Sequence, residues 1–166
     1  MSNGIRLTAI GELDRLPRLV RDPLERLRAE SAKNSEMVLT LALSYGGREE
    51  LLHAAVQLAE GLSRGDLVAS RLREADFEAL LWTRHLPPLD LVIRTSGEHR
   101  ISNFLLWQMA YAELVFSELY WPDFRSEAFL DCLDQYQRRE RRYGLTSTQV
   151  RRGSSMLHQA KLERDE

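Results

Sequence analysis

Two arginines, Arg94 and Arg100, bracket a loop made of Thr95, Ser96, Gly97, Glu98 and His99, and Ile101-Ser102-Asn103 follows directly. A guanidinium presents a rigid fork of donors that suits phosphate oxygens, and it stays charged at any physiological pH. Gly97 allows a tight turn or a close backbone approach to a ligand. The apolar run Leu89 to Ile93 ahead of the loop reads as a short strand, and the apolar, aromatic-rich stretch after it predicts a helix over residues 102–116. Ser102 then stands at a helix start, where its hydroxyl caps the helix or donates to an anion. The amides of Ile101 and Ser102 point the same way. A strand end meeting a helix N-terminus is where a parallel α/β sheet builds an anion site, so the pattern implies phosphate or diphosphate binding. A capped helix start with surface arginines is the competing reading of the same residues. No glycine-rich phosphate loop occurs upstream, because Tyr45-Gly46-Gly47-Arg48 lacks the required spacing.

Glu113 is the second candidate. It lies among Met109, Ala110, Tyr111, Leu114 and Phe116, where a carboxylate needs a partner: an arginine, or a divalent cation that also holds a diphosphate. His99, beside Glu98, could join such a shell, although a lone histidine is more often simply hydrogen-bonded. The run Arg138-Arg139-Glu140-Arg141-Arg142-Tyr143-Gly144 suits a helix C-terminus with a glycine stop. Zinc chemistry is excluded by the absence of a cysteine pair, and no nucleophile elbow surrounds Gly97.

These residues need a scaffold. The chain has 166 residues, 43% hydrophobic and 29% charged, which suits one soluble domain with a real core. A formal net charge of -2 argues against nucleic acid as a partner. The single cysteine, Cys132, rules out an internal disulfide and fits a reducing cytoplasm; its helical spacing with Phe129 and Leu133 marks it as a small core residue. No secretory signal or transmembrane run is expected, so any membrane link would come through a substrate or a partner. Period-two and helical patterns alternate, which predicts α/β architecture. Strands are expected at residues 5–10, 37–44 and 89–94, the second buried on both faces. Helices are expected at 13–32, with Pro23 starting its long part, and at 49–64, 74–83, 102–116 and 126–142, the last capped by Ser126. Gly65-Asp66 should break the second helix. A domain over residues 1–145 and a polar tail over 146–166 follow. Three strands make a small parallel sheet, one that another chain could complete.

Ser44-Tyr45-Gly46-Gly47-Arg48, the block from Asp90 to Gln108, Tyr111-Ala112-Glu113-Leu114 and Trp121-Pro122-Asp123-Phe124 closely resemble the cis-prenyltransferases, with bacterial undecaprenyl diphosphate synthases the nearest. The likeness runs from about Asn3 to Gly144, and the arginine-to-tryptophan block is highly specific. The resemblance implies the C-terminal part of a parallel-sheet fold. It also implies an enzyme class that adds isopentenyl diphosphate to an allylic diphosphate with new cis double bonds. By the same resemblance Arg94, Arg100, Ile101 and Ser102 hold the diphosphate of isopentenyl diphosphate. Glu113 corresponds to a magnesium-site carboxylate, with His99 in its neighbourhood as a possible catalytic group. Arg142 and Gly144 match a C-terminal Arg-x-Gly signature that reaches a diphosphate site across a homodimer.

The sequence departs from that family in one respect: it holds no Asp-Gly-Asn-Gly-Arg loop, which in the family binds allylic diphosphate and magnesium. The expectation is therefore an N-terminally truncated member that does not elongate prenyl chains alone. Three readings stay open: an enzyme component that works with a complementary N-terminal chain or as an unusually short form, a non-catalytic partner subunit or diphosphate-binding module, and the product of a truncated gene or a misassigned start. A homodimer or a complementary N-terminal chain is the expected assembly.

Overall fold

The computed structural model describes residues 4–139, and the chain divides into two compact units. Of the described residues, the first holds 4–88 with Ile101–Ala110, and the second Leu89–Arg100 with 111–139.

The first unit opens with a β-α-β turn of chain. Strand β1 (Ile5–Ile10) pairs in parallel with β2 (Met37–Ala42), from Ile5 opposite Met37 to Ile10 opposite Ala42. Helix α1 (Arg18–Ser31) connects them and packs on β1. Its last residue, Ser31, is buried; its hydroxyl accepts from the Leu7 amide at 3.0 Å and donates to the Leu27 carbonyl at 2.7 Å. Asn34 adds a bond to the Ile5 carbonyl at 2.7 Å. Two polar side chains thus satisfy backbone groups of β1 that β2 does not reach. Helix α2 (Gly47–Arg64) ends as expected: Gly65 adopts φ +80°, and the Asp66 amide closes on the Gly61 carbonyl at 2.9 Å. A short α3 (Glu74–Glu78) follows.

The second unit is a second parallel pair, β3 (Leu91–Arg94) with β4 (Glu113–Phe116), in register from Leu91 opposite Glu113 to Arg94 opposite Phe116. Helix α4 (Ser126–Gln137) packs on β4. Val115 and Cys132 are buried there, and burial pushes the Cys132 thiol pKa up, in keeping with a core residue.

Several expectations are corrected. There is no helix over residues 102–116. The chain runs through turns to a 3-10 turn at Gln108–Tyr111 and then forms β4, so the described residues hold four strands rather than three, in two separate pairs. Local apolar periodicity loses because Ser102, Asn103 and Leu105 all sit at positive φ (47°, 63° and 45°), which no helix accommodates. The four residues Glu113–Phe116 are also short and β-prone enough to join β3. Helix α1 starts at Arg18, with Pro17 at its N-cap, and Pro23 lies inside it. The helix at 74–83 shrinks to five residues. Ser126 is the first helical residue of α4; Arg125 takes the cap position without a side-chain bond. Strand β2 is not covered on both faces: Met37, Val38 and Leu39 are 50%, 44% and 45% exposed. The Gly144 stop and the polar tail lie outside the described residues.

Candidate anion site at the end of β3

The backbone beyond β3 is tied to the segment after β4. Ser117 donates to the Arg94 carbonyl at 2.8 Å, Gly97 to the Ser117 carbonyl at 3.0 Å, and Ser96 to the Leu119 carbonyl at 2.7 Å. Ser96 and Gly97 take φ of +72° and +64°, so the loop turns sharply here. A Cβ on Gly97 would come within 2.6 Å of a Glu118 carboxylate oxygen, which explains the glycine.

This turn brings the two arginines together on one acceptor. Arg94 Nη2 lies 4.0 Å from Glu98 Oε2, and Arg100 Nη1 bonds the same oxygen. Arg94 Nη1 also donates to the Arg100 carbonyl, which closes the loop on itself. Arg94 and Glu98 are about a third exposed, whereas Arg100 reaches further into solvent. One carboxylate oxygen facing two guanidiniums is the arrangement a phosphate oxygen would find. Glu98, flanked by both arginines in sequence, is the member of this cluster that reading the loop for cations passes over.

His99 stacks obliquely on Phe116, with ring centroids 4.8 Å apart, and its Nε2 lies 3.6 Å from Glu118. Its carboxylate neighbour is therefore Glu118 rather than Glu98. Glu113 has the arginine partner that its sequence context demands: Arg139 Nη1 donates to Glu113 Oε2 at 2.9 Å and to the Leu114 carbonyl at 2.7 Å. Among the described residues no three His, Cys, Asp or Glu side chains converge on a point that could hold a cation. Glu113, neutralised by Arg139, does not by itself fit a magnesium site.

Ile101 and Ser102 belong to the first unit. Ser102 is exposed and at positive φ, so the helix-capping role expected of it does not arise. The residue that organises this loop is the next one. The Asn103 carbonyl accepts from the Gly47 amide at 2.6 Å, its Oδ1 from the Arg48 amide at 2.9 Å, and its Nδ2 donates to Glu49 at 2.9 Å. Helix α2 has no side-chain cap of its own. Asn103, more than fifty positions away, satisfies its first amides instead. Gly46 and Gly47 make room: a Cβ on Gly47 would sit 2.7 Å from Leu106 Cγ. The N-terminus of α2 is thus occupied by protein, consistent with the sequence lacking a phosphate loop there.

Beneath that contact lies a buried polar cluster. Glu50 is 1% exposed. Its Oε1 accepts from the Thr83 amide and hydroxyl at 3.1 and 3.2 Å, and its Oε2 from Tyr45 Oη at 2.5 Å and Gln108 Nε2 at 3.0 Å. Burial and the Glu50 carboxylate push the Tyr45 phenol pKa far upward, so Tyr45 remains a donor. Arg142 and Gly144 lie outside the described residues.

A family model described as putative undecaprenyl diphosphate synthase matches residues 1–144. An isoprenyl transferase of Geobacter sulfurreducens is 47% identical over 149 residues, covering 90% of this chain and 61% of that protein. A (2E,6E)-farnesyl-diphosphate-specific ditrans,polycis-undecaprenyl-diphosphate synthase of Haemophilus influenzae is 42% identical, covering 87% of this chain and 60% of that one. Among solved structures, lavandulyl diphosphate synthase from Lavandula x intermedia, in complex with dimethylallyl diphosphate, superposes with a TM-score of 0.83. It is 37% identical and covers 87% of this chain and 62% of the other. A probable undecaprenyl diphosphate synthase from Campylobacter jejuni gives a TM-score of 0.71 at 35% identity, covering 86% of this chain and 64% of the other. The chain spans about half to three fifths of the length of its curated relatives. On this match over nearly all its residues, the chain belongs to the undecaprenyl diphosphate synthase family of prenyltransferases.

Proposed function

We propose that the chain serves prenyl transfer by holding the diphosphate of isopentenyl diphosphate on the segment from Arg94 to Ser102. The observation that carries this reading is the convergence of Arg94 and Arg100 on a single carboxylate oxygen of Glu98. An incoming diphosphate would take the place of that carboxylate and bring more charge to the same two guanidiniums. Ile101 and Ser102 follow Arg100 directly in the chain and complete the proposed segment. In the reaction, the alkene of isopentenyl diphosphate attacks the allylic carbon. The allylic diphosphate leaves with the bonding pair, and a proton is lost as the new cis double bond forms. The role proposed for these residues is to fix one end of the nucleophile so that the alkene is oriented for attack.

The same proposal holds that the isolated chain does not elongate, since its 166 residues contain no Asp-Gly-Asn-Gly-Arg loop for the allylic diphosphate. A separate chain bearing that loop is the proposed partner for elongation, a second copy of this chain the proposed dimer mate, and the cytoplasm the proposed compartment. Magnesium belongs to the proposal only as a companion of the diphosphates, with Glu113 kept as its candidate carboxylate on the strength of the family resemblance. His99 is kept as a candidate catalytic group and Arg142 and Gly144 as candidate diphosphate ligands on the strength of the family resemblance.

Calorimetric titration of isopentenyl diphosphate at low and high salt tests the reading. Arg94→Ala and Arg100→Ala should each weaken binding by about 1.5–3 kcal/mol, roughly ten- to a hundredfold. Arg26→Ala, on an exposed position of α1, should leave it unchanged. Equal behaviour of the three variants would remove the arginine pair as the anion site.

A further inference from the structure

We propose that Glu50 is a positioning residue: its buried carboxylate sets the path of the loop Ile101–Ala110 and so the backbone at Ile101 and Ser102. The functional part of this inference rests on the diphosphate reading above; the structural part does not.

Four donors meet at Glu50, and all are neutral: the Thr83 amide, the Thr83 hydroxyl, the Tyr45 hydroxyl and the Gln108 amide. The three residues that supply them, and Glu50 itself, lie at four places in the sequence. Tyr45 precedes α2, Glu50 is in its first turn, Thr83 follows α3, and Gln108 closes the loop. A carboxylate has about four lone-pair sites and no donor hydrogen, so only an ionised Asp or Glu serves all four at once. Gln108 also donates to Thr83 Oγ1 at 2.5 Å, so Thr83 accepts from the loop while it donates to Glu50. The other end of the Gln108 amide, Oε1, is buried without a hydrogen-bond partner among the described residues. Gln108 is therefore fixed through its Nε2 alone, which makes it dependent on Glu50 and Thr83.

The loop is pinned at two points. Asn103 holds its first half to the Gly47 and Arg48 amides, and Gln108 holds its end to Glu50. Glu50 and those two amides lie within one turn of α2. Three non-glycine residues between or beside the pins, Ser102, Asn103 and Leu105, are at positive φ. Such backbone persists only where the surroundings over-determine it. Glu50 is the group that does so from below, because Tyr45, which it orients, packs edge-on against Phe104 of the loop at 5.7 Å. Nothing in this cluster needs a bound ion: the donors already saturate the carboxylate.

Hydrogen exchange of the unliganded chain tests this. In Glu50→Gln an amide NH2 faces at least one of the former donors. The Gly47, Arg48, Phe104 and Met109 amides should then exchange at least about tenfold faster, and the β1–β2 ladder should change far less. Ala54→Gly, at a fully buried position of the same helix, lowers stability while keeping every hydrogen-bonding group of the cluster and should speed both groups by a similar factor. Thr83→Val, which deletes the hydroxyl and keeps the carboxylate, should give the Glu50→Gln pattern at smaller amplitude, so it decides the matter if Glu50→Gln does not fold. A uniform rise in these variants, like that of Ala54→Gly, would overturn the positioning role. Where the wild type binds isopentenyl diphosphate, Glu50→Gln should weaken that binding about tenfold. If loop exchange rises while affinity is unchanged, the link to the site is refuted. A wild type that does not bind refutes the diphosphate reading instead, and the exchange pattern still decides the role of Glu50 in the loop.

Discussion

At the scale of single residues, the arrangement turns on what each charged group has for company. Arg94 and Arg100 face Glu98, Glu113 faces Arg139, and His99 faces Glu118, whereas Glu50 has only neutral donors. The partner of Glu113 was legible as a need, since a carboxylate among apolar residues demands one. That the partner would be Arg139 was not, because it depends on where α4 lands. Glu50 was silent in the sequence, as one of two adjacent glutamates opening a helix that could equally face solvent. Tyr45 offers a test of the buried cluster. Its phenol pKa is raised in the folded chain above the usual value of about 10. Stability from this group is therefore fully present below that value and is lost as pH climbs above it. Unfolding monitored from pH 8 to 11 should show the wild type losing stability at the alkaline end. Tyr45→Phe, which cannot ionise, should have a flatter profile even though it starts less stable. Parallel profiles would mean that Tyr45 is not a protonated donor to Glu50.

At the scale of elements, β1, β2, β3 and the core of α2 followed from periodicity, and Gly65 as the stop of α2 from its conformational freedom. The segment 102–116 did not, and the reason is physical. Phe104, Leu105, Leu106, Trp107 and Met109 have the composition of a buried helix, but the loop earns its burial through long-range contacts. Trp107 packs on Phe77 at 5.0 Å and donates to Glu78, and Asn103 caps a helix more than fifty residues earlier. Composition records burial without recording which backbone achieves it. The cap carries a prediction: Asn103→Ala should lower stability by about 0.5–2 kcal/mol, the usual range for a lost helix N-cap. Gly47→Ala should cost at least as much, because its methyl would meet Leu106 Cγ at 2.7 Å. Denaturant titration of both variants checks this. A neutral Gly47→Ala would mean that the loop does not press on α2.

At the scale of the whole molecule, family membership was legible in the block from Asp90 to Gln108, whose run of arginines, glycine and aromatics carries the resemblance, and the family model matches residues 1–144. The chain covers only part of its relatives' length, and two parallel strand pairs are what its described residues hold. Incubated alone with labelled isopentenyl diphosphate, magnesium and an allylic diphosphate, it should yield no lipid-soluble product above a blank. Activity of the isolated chain would contradict the proposed need for a partner. The diphosphate site itself is tested most directly by titrating isopentenyl diphosphate into isotope-labelled chain and following the arginine side-chain Nε–Hε and backbone resonances. The Arg94 and Arg100 side chains and the amides from Ser96 to Ser102 should shift together with one saturating curve, while those of α1 stay still. Shifts confined to other arginines, or none even at a large excess of ligand, would contradict the assignment of this loop as the diphosphate site.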